Sequence, residues 1–226
     1  MTKNVTQRKS SLLFFHGILG TSADWEAVVD HLPEFGCFGV DLPGHGTTPF
    51  TEDFFGELPC FGEPVHLIGY SMGGRLAMQY AACFPEKVAS LTVISAHFGL
   101  RDPQEKEERL AVDRAWAQQF LEDPIDEVLK RWYDQPLFRT LRVDFSMRRK
   151  QNVKALAQTL IHYSVAKQPF LQPKEALYLV GEHDAKYRAL YQSVPHRVIP
   201  HASHAVHLEN PQAVAQAIRS HICIQT

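Results

Sequence analysis

The sequence predicts an α/β fold built on a mostly parallel, doubly wound β-sheet. Two observations predict it: short apolar runs bounded by Gly, Pro or Asp recur along the chain, and helical patterns separate them. Continuous apolar runs of this length are typical of parallel strands that are covered by helices on both faces. The expected strands are residues 12–15, 37–41, 65–70, 91–96, 176–180 and 197–199.

Helices are expected between these strands, at residues 25–31 and 72–83, and after the last strand at 211–221, where a proline occupies the first turn. Crossovers between parallel strands are right-handed, so these helices should cover both faces of the sheet. Ligands of such sheets bind at the carboxyl ends of the strands. The functional residues are therefore expected in loops that follow strands.

One long interval interrupts this alternation. Residues 97–172 have helical composition at 104–121, 124–132 and 148–166, and they follow the carboxyl end of an expected strand. An insertion at that end lies above the ligand site. We therefore expect one domain over residues 1–226, with a helical lid at about 97–172 inserted between core strands.

The composition limits the classes of partner. The 226 residues are 45% hydrophobic and carry a formal net charge of −2, which gives no support for binding to nucleic acid or to an anionic membrane. No run approaches the roughly 20 apolar residues of a membrane span. Four cysteines without a CxxC pair fit a reducing cytoplasm. An anionic substrate would need local cations, and the oligomeric state stays open.

The segment Gly69-Tyr70-Ser71-Met72-Gly73 fits G-x-S-x-G between an expected strand and an expected helix. In that context the pattern predicts a nucleophile elbow, in which small residues permit a tight turn that exposes the serine. The alternative is a glycine-containing turn with an incidental serine. We expect Ser71 to be a nucleophile or base of an α/β-hydrolase fold.

A second loop, His16-Gly17, follows the first strand directly. The corresponding loop of this fold supplies one amide of an oxyanion hole, here that of Ile18, and the amide of Met72 would supply the other. By itself His-Gly also fits an ordinary turn.

The acid and the histidine of a triad should follow in that order. Asp184 lies in the loop after the strand at 176–180, with Glu182 as the competing carboxylate. His204 is preferred among three histidines spaced by three residues, the others being His201 and His207. A metal site at the three histidines would need further ligands that the sequence does not offer. We expect Asp184 to orient His204, and His204 to take the Ser71 proton, without a metal or a cofactor.

Several segments together resemble one family, the 2-succinyl-6-hydroxy-2,4-cyclohexadiene-1-carboxylate synthases, which eliminate pyruvate in menaquinone biosynthesis. The similarity runs from about residue 12 to the C-terminus, and W-Y-x-Q-P-x-F in the lid is its most discriminating part. The segments are G-Y-S-M-G-G-R at 69–75, E-R at 108–109 with D-R-A-W at 113–116, W-Y-D-Q-P-L-F at 132–138, and G-E-H-D-A-K-Y-R-A-L at 181–190.

The resemblance implies a substrate with three carboxylates. Arg75, Arg109 and Arg148 match the family's substrate arginines, and Tyr70 and Trp132 match its pocket aromatics. It also implies elimination without hydrolysis, started by removal of a proton beside the succinyl ketone. A solvated helix face is the alternative for each lid arginine.

The chain departs from the family pattern at two places. The segment at 42–64 is about ten residues shorter than we would expect for the family, and its prolines and glycines leave little room for a helix. Ser203 stands where the family has glycine before the histidine. Neither departure changes a residue that is expected to take part in the reaction.

Two other functions remain open from the sequence. The same triad could serve a small-molecule carboxylesterase or a carbon–carbon bond hydrolase. A non-catalytic binding protein of the same fold is the alternative of another class, although such a protein need not keep all three triad residues.

Overall fold

Six parallel strands form one sheet in the computed structural model, which describes residues 10–225. The strand order is β2-β1-β3-β4-β5-β6, and each neighbouring pair is parallel. All six expected strands are confirmed, with ends that differ by up to three residues. They are β1 (Ser11–Phe15), β2 (Gly36–Val40), β3 (Val65–Tyr70), β4 (Val88–Ile94), β5 (Leu177–Gly181) and β6 (His196–Ile199).

The described residues also form α-helices between and after the strands. The helix after β3 has the predicted bounds, whereas the short helices after β5 and β6 were not predicted. The helices are α1 (Glu26–Val29), α2 (Met72–Cys83), α3 (Pro103–Glu122), α4 (Ile125–Tyr133), α5 (Phe145–Arg148), α6 (Val153–His162), α7 (Ala185–Tyr191), α8 (Val206–Glu209) and α9 (Pro211–Gln225).

The strand order changes direction between β1 and β3, because β2 lies on one side of β1 and β3 lies on the other. A crevice opens at such a switch point, outside the carboxyl ends of the two strands on either side of it. The residues that follow these ends are His16 after β1 and Ser71 after β3. The topology therefore brings two of the predicted site loops to one crevice.

Alternating side chains of the strands build a core on each face of the sheet. One face buries Leu13 and Phe15 of β1 against α2 and α7. The other face buries Leu12 and Phe14 against α1 and α9. A third apolar cluster lies between α3, α4 and α6 and includes Leu19 from the loop after β1. The helices inserted between β4 and β5 thus pack on one another and on the crevice loop.

The stretch at 148–166, for which helical composition was noted, is helical but is not one continuous helix. The structure has α5, a break, α6 and a 3-10 turn at Val165–Lys167. Asn152 begins α6 by accepting a hydrogen bond from the backbone NH of Ala155, a side-chain cap that interrupts the helical run. Within the break, the Gln151 side chain donates to the carbonyl of Leu19 at 2.7 Å. The interruption ties the inserted helices to the loop after β1.

The segment between β2 and β3 contains one 3-10 turn, Phe55–Glu57, and no α-helix, as the short segment predicted. Phe54 and Phe55 pack against the core in place of a helix. Across the described residues, none of the helices combines the length and hydrophobicity that crossing a membrane would require.

Candidate active site

Ser71 occupies the sharp turn between β3 and α2. Its backbone has φ = 51° and ψ = −112°, a left-handed conformation that is strained for a residue with a side chain. The turn is held by the NH of Ser71, which donates to the Ile94 carbonyl at 2.8 Å. Gly73 permits the close approach of helix and strand, because a Cβ there would lie 2.3 Å from the His16 carbonyl oxygen. This is the geometry of a nucleophile elbow.

The structure brings the three predicted triad residues together from distant parts of the chain. Nδ1 of His204 donates to Oδ2 of Asp184 at 2.8 Å, and Nε2 of His204 lies 3.4 Å from Oγ of Ser71. Asp184 is buried and also accepts from the NH of Tyr187 at 3.1 Å. The proton on Nδ1 leaves Nε2 available to accept the serine proton.

The competing residues lie elsewhere. Glu182 is exposed, and its carboxylate accepts from the backbone NH of His201, which lowers the pKa of Glu182. His207 is fully buried between Trp25 and Tyr70, with ring centroids at 4.5 and 4.3 Å. Within residues 10–225, no three His, Cys, Asp or Glu side chains are grouped as a metal site would require. The geometry therefore favours Asp184 and His204 over their competitors.

The two predicted oxyanion amides, those of Ile18 and Met72, belong to residues that line the cavity beside Ser71. Within residues 10–225, neither amide donates to another protein group. Met72 also begins α2, where the helix dipole favours negative charge. Both donors are therefore available to a developing oxyanion.

Two buried histidines hold the loop that carries Ile18. Nε2 of His16 accepts from the NH of Leu42 at 2.9 Å, and Nε2 of His45 accepts from the NH of Leu19 at 3.1 Å. Each ring places its other nitrogen near a carbonyl oxygen, that of Gly17 and that of Pro43 respectively. These bonds use neutral rings, and burial lowers the pKa of both histidines, that of His45 to about 4.

All three predicted arginines line the same cavity as Ser71 and His204. Arg75 lies one turn beyond Ser71, and its Nη1 donates to the carbonyl of Tyr163 at 2.8 Å and to Oε1 of Gln168. Burial, followed by the charge of Arg109, lowers the pKa of Arg75 to about 10, so the guanidinium stays charged at neutral pH.

The two arginines from the helices inserted between β4 and β5 each pair with a carboxylate. Nε of Arg109 lies 3.0 Å from both oxygens of Asp113, one turn along α3. Nη2 of Arg148 donates to both oxygens of Asp24 at 2.7 and 2.8 Å, and both side chains of this pair are largely buried. Nε of Arg148 is buried without a hydrogen-bond partner among the described residues. The solvated alternative therefore fails for Arg148, whereas the side chain of Arg109 is 38% exposed.

Aromatic side chains form much of the remaining wall. Tyr70 packs against the His204 ring at 5.3 Å, and Trp132 packs against Trp116 at 4.8 Å. Nε1 of Trp132 is buried without a partner within the described part of the chain. Both predicted aromatics, Tyr70 and Trp132, therefore line the cavity.

Sequence reasoning missed several cavity residues: Asp24, His97, Trp116, Tyr133 and Lys186. Trp116, Tyr133 and Lys186 lie within segments that carried the family resemblance, which was the available signal for them. Asp24 and His97 lie outside those segments, and they join the site through the fold alone.

Ser203 links the His204 loop to the segment inserted between β4 and β5. Its hydroxyl donates to the carbonyl of Leu137 at 2.9 Å, and the NH of His204 points to the same oxygen at 3.4 Å. The backbone NH of Ser203 donates to Glu209 at 3.0 Å. The serine that departs from the family pattern is thus accommodated by a contact with the inserted segment and leaves His204 facing Ser71.

Comparison with known proteins agrees with this geometry. A family model described as "Alpha/beta hydrolase family" matches residues 12–217. The 2-succinyl-6-hydroxy-2,4-cyclohexadiene-1-carboxylate synthase of Klebsiella pneumoniae (strain 342) is 37% identical and covers 90% of each chain. The protein of the same name from Serratia proteamaculans is 35% identical over 92% of this chain and 91% of the relative.

A solved structure, that of MenH from S. aureus, matches with a TM-score of 0.83 and 22% identity, over 98% of this chain and 96% of that one. At that identity the likeness shows the shared fold, whereas the two curated relatives are similar enough to show the narrower group. The chain belongs to the α/β-hydrolase family and, within it, to the family of 2-succinyl-6-hydroxy-2,4-cyclohexadiene-1-carboxylate synthases.

Proposed function

We propose that this chain is a lyase of menaquinone biosynthesis that eliminates pyruvate from a small polycarboxylate substrate and leaves the ring product for which its relatives are named. One observation carries the proposal: Ser71 and His204 open into a cavity that is also lined by Arg75, Arg109 and Arg148. A triad serves many reactions, but three arginines around it suit a substrate with several carboxylates, because the guanidinium fork matches a carboxylate.

In the proposed mechanism, His204 takes the proton of Ser71, and Asp184 stabilises the imidazolium that forms. The serine oxygen then removes the proton on the ring carbon beside the succinyl ketone. The ketone oxygen gains negative charge as the enolate forms, and the amides of Ile18 and Met72 stabilise it. Such donors are typically worth about 3 kcal/mol each in rate.

The enolate then collapses by elimination. Its electron pair forms a new ring double bond, and the carbon–oxygen bond to the enolpyruvyl group breaks with its electrons on oxygen. The departing enolate takes up a proton and becomes pyruvate, so the proton removed from carbon is balanced and no water is consumed. An acyl-enzyme does not form on Ser71.

The arginines are proposed to bind and orient the carboxylates. Arg148 is held by Asp24 through one Nη atom, which leaves its buried Nε as an unsatisfied donor. Nε1 of Trp132 is a second unsatisfied buried donor at the cavity wall. Buried donors without partners are costly unless a ligand supplies acceptor oxygens. Both atoms therefore favour an oxygen-rich ligand.

We also propose that residues 97–172 act as a lid over this cavity within a single domain; the part of the expected domain 1–226 at residues 1–9 and 226 lies outside the described residues. Helices α3 to α6 supply Arg109, Trp132 and Arg148 to the cavity, whereas the triad comes from loops of the sheet. A lid that carries substrate cations would couple substrate binding to exclusion of water.

The experiment that tests the function is incubation of the purified chain with the enolpyruvyl precursor, with pyruvate release followed by a coupled lactate dehydrogenase assay. We expect release by the unmodified chain and loss of at least about 1,000-fold in kcat for Ser71→Ala, because the base is removed. Ser193→Ala, a change at an exposed serine outside the cavity, is the matched control. Pyruvate release at an equal rate by Ser71→Ala would contradict the proposal.

A further inference from the structure

Four nitrogen-bearing side chains line the cavity, and three of them, those of Lys186, Arg75 and Arg109, are close enough to the fourth, that of His97, for their charges to act on it. Arg75 comes from α2, Arg109 from α3, His97 from the loop after β4 and Lys186 from the first turn of α7. Arg75 and Arg109 belong to the proposed carboxylate machinery. His97 and Lys186 have no role in the mechanism above.

The positive charge of this cluster exceeds the negative charge beside it. Arg109 is paired with Asp113, but the acceptors of Arg75 are a carbonyl and an amide, which are neutral. Lys186 forms no ion pair among residues 10–225. The nearby carboxylate of Asp184 is already engaged by His204. Cations held close together without counter-ions favour an anionic ligand.

His97 adds a neutral donor to the same cluster. Its Nδ1 accepts a hydrogen bond from the backbone NH of Gly99 at 3.0 Å, so the proton of the neutral ring is on Nε2. Burial, followed by the charges of Lys186, Arg75 and Arg109, lowers the pKa of His97 to about 4. The ring is therefore neutral at physiological pH, with an NH that can donate to a ligand in the cavity.

The position of the cluster relative to Ser71 indicates which group of the proposed substrate the cluster would bind. Arg75 follows Ser71 by four residues, about 6 Å along the helix axis. The proposed mechanism holds the succinyl ketone at Ser71, and two methylene groups separate that ketone from the terminal carboxylate of the chain. A ketone at the elbow therefore directs this carboxylate toward Arg75 and its neighbours.

We propose that His97 and Lys186, together with Arg75 and Arg109, form the subsite that binds the terminal carboxylate of the succinyl chain. The assignment of that carboxylate rests on the proposed function. The subsite makes His97 and Lys186 specificity-determining residues, because they recognise an acid at a fixed distance from a ketone.

The test uses a probe that does not react. Levulinate (4-oxopentanoate) carries a ketone and a carboxylate at the spacing of the succinyl chain, and 2-pentanone is its uncharged counterpart. Dissociation constants for both are measured by ligand-observed NMR. We expect the unmodified chain to prefer levulinate, and the preference to fall about fivefold to tenfold in Lys186→Met and in His97→Asn.

Matched variants separate binding from folding. His97→Asn can still accept a hydrogen bond from the NH of Gly99 but lacks the Nε2 donor. His97→Gln restores a donor farther from the backbone and should recover part of the preference for levulinate. Lys174→Met removes the same charge from an exposed turn outside the cavity and should leave the preference unchanged. Lys186→Arg should retain most of it.

The proposal is overturned if the unmodified chain does not prefer levulinate, or if Lys186→Met and His97→Asn keep the full preference. A preference that falls in both variants supports the subsite whether or not the chain releases pyruvate. The subsite and the proposed function can therefore fail separately.

Discussion

The ion pair between Arg148 and Asp24 places a buried negative charge at the wall of a cavity that we propose receives carboxylates. Asp24 accepts two hydrogen bonds from one nitrogen of Arg148. Burial raises the pKa of Asp24, and the nearby Arg148 opposes that rise. Asp24 thus fixes the orientation of the Arg148 guanidinium, and the Nε of Arg148 remains available to donate to the proposed substrate.

Arg148→Ala should therefore lower both activity and stability. We expect kcat/KM for pyruvate release to fall about 10- to 100-fold, and the free energy of unfolding to fall by about 3 kcal/mol because Asp24 loses its partner. Arg149→Ala is the matched control, since Arg149 pairs with Asp126 at the exposed surface. Equal values of kcat/KM in the two variants would show that Arg148 does not take part in substrate binding.

Buried neutral histidines predict how stability depends on pH. Burial lowers the pKa of His45 to about 4 and that of His207 to about 3, whereas the unfolded chain takes up these protons near pH 6.5. The stabilisation is fully present above pH 6.5 and is lost as the pH falls toward the folded values. Each of the two histidines should lower the free energy of unfolding by about 2 kcal/mol as the pH falls from 6.5 to 5.

Urea unfolding at pH 7.5 and pH 5 measures this effect. His45→Asn should lose less stability between the two pH values than the unmodified chain, by about 2 kcal/mol. His183→Asn, at an exposed position, should show the slope of the unmodified chain. An unchanged slope in His45→Asn would mean that His45 is not held neutral in the folded protein.

At this scale the sequence predicted residues that sit inside a recognisable local pattern. Ser71 and Asp184 each follow an expected strand, and His204 ends a short segment, A-S-H at 202–204, that matches the family pattern except at Ser203. Asp24 was not predictable, because its partner Arg148 lies 124 residues away and no local pattern joins them. His97 was missed for the same reason, since its neighbours come from other elements.

Among the elements, the elbow between β3 and α2 depends most on close backbone contact. A Cβ at Gly73 would lie 2.3 Å from the His16 carbonyl oxygen and 2.4 Å from that of Phe15, so the helix or the strand would have to move. We expect Gly73→Ala to reduce the free energy of unfolding by about 3 kcal/mol and to displace Ser71.

Chemical unfolding and pyruvate release measured together test this expectation. Gly62→Ala is the matched control, because a Cβ there meets no atom within 4 Å, and it should change stability by less than about 0.5 kcal/mol. If Gly73→Ala were as stable and as active as Gly62→Ala, the close packing of the elbow would not be needed.

The strands were predictable as elements because parallel strands are continuous apolar runs. The helices inserted between β4 and β5 were harder to predict, because hydrophobic periodicity does not show where a helix is interrupted by a tertiary contact. The break before α6 is stabilised by the Asn152 cap and by the bond from Gln151 to Leu19. The second of these joins residues 132 positions apart, which local sequence cannot reveal.

For the molecule as a whole, two parts of the fold supply different residues of the proposed active site. The sheet, its loops and helix α2 supply the proposed triad, the proposed oxyanion amides, Arg75 and Tyr70, and helices α3 to α6 supply the other two arginines together with Trp116 and Trp132. The hydrolase-type triad is thus placed beneath side chains that suit a polycarboxylate. The sequence predicted this division, because the long helical interval follows the carboxyl end of a strand.

We propose that this hydrolase-type site performs an elimination in which no water is consumed. The most direct measurement is the mass of the ring product formed from the enolpyruvyl precursor in water enriched in ¹⁸O, with isolated product incubated in the same water to correct for exchange at its ketone. We expect a ring product without solvent oxygen, formed together with pyruvate. A ring product that carries one ¹⁸O atom above this correction would show that water attacks the substrate, and it would contradict the proposed elimination.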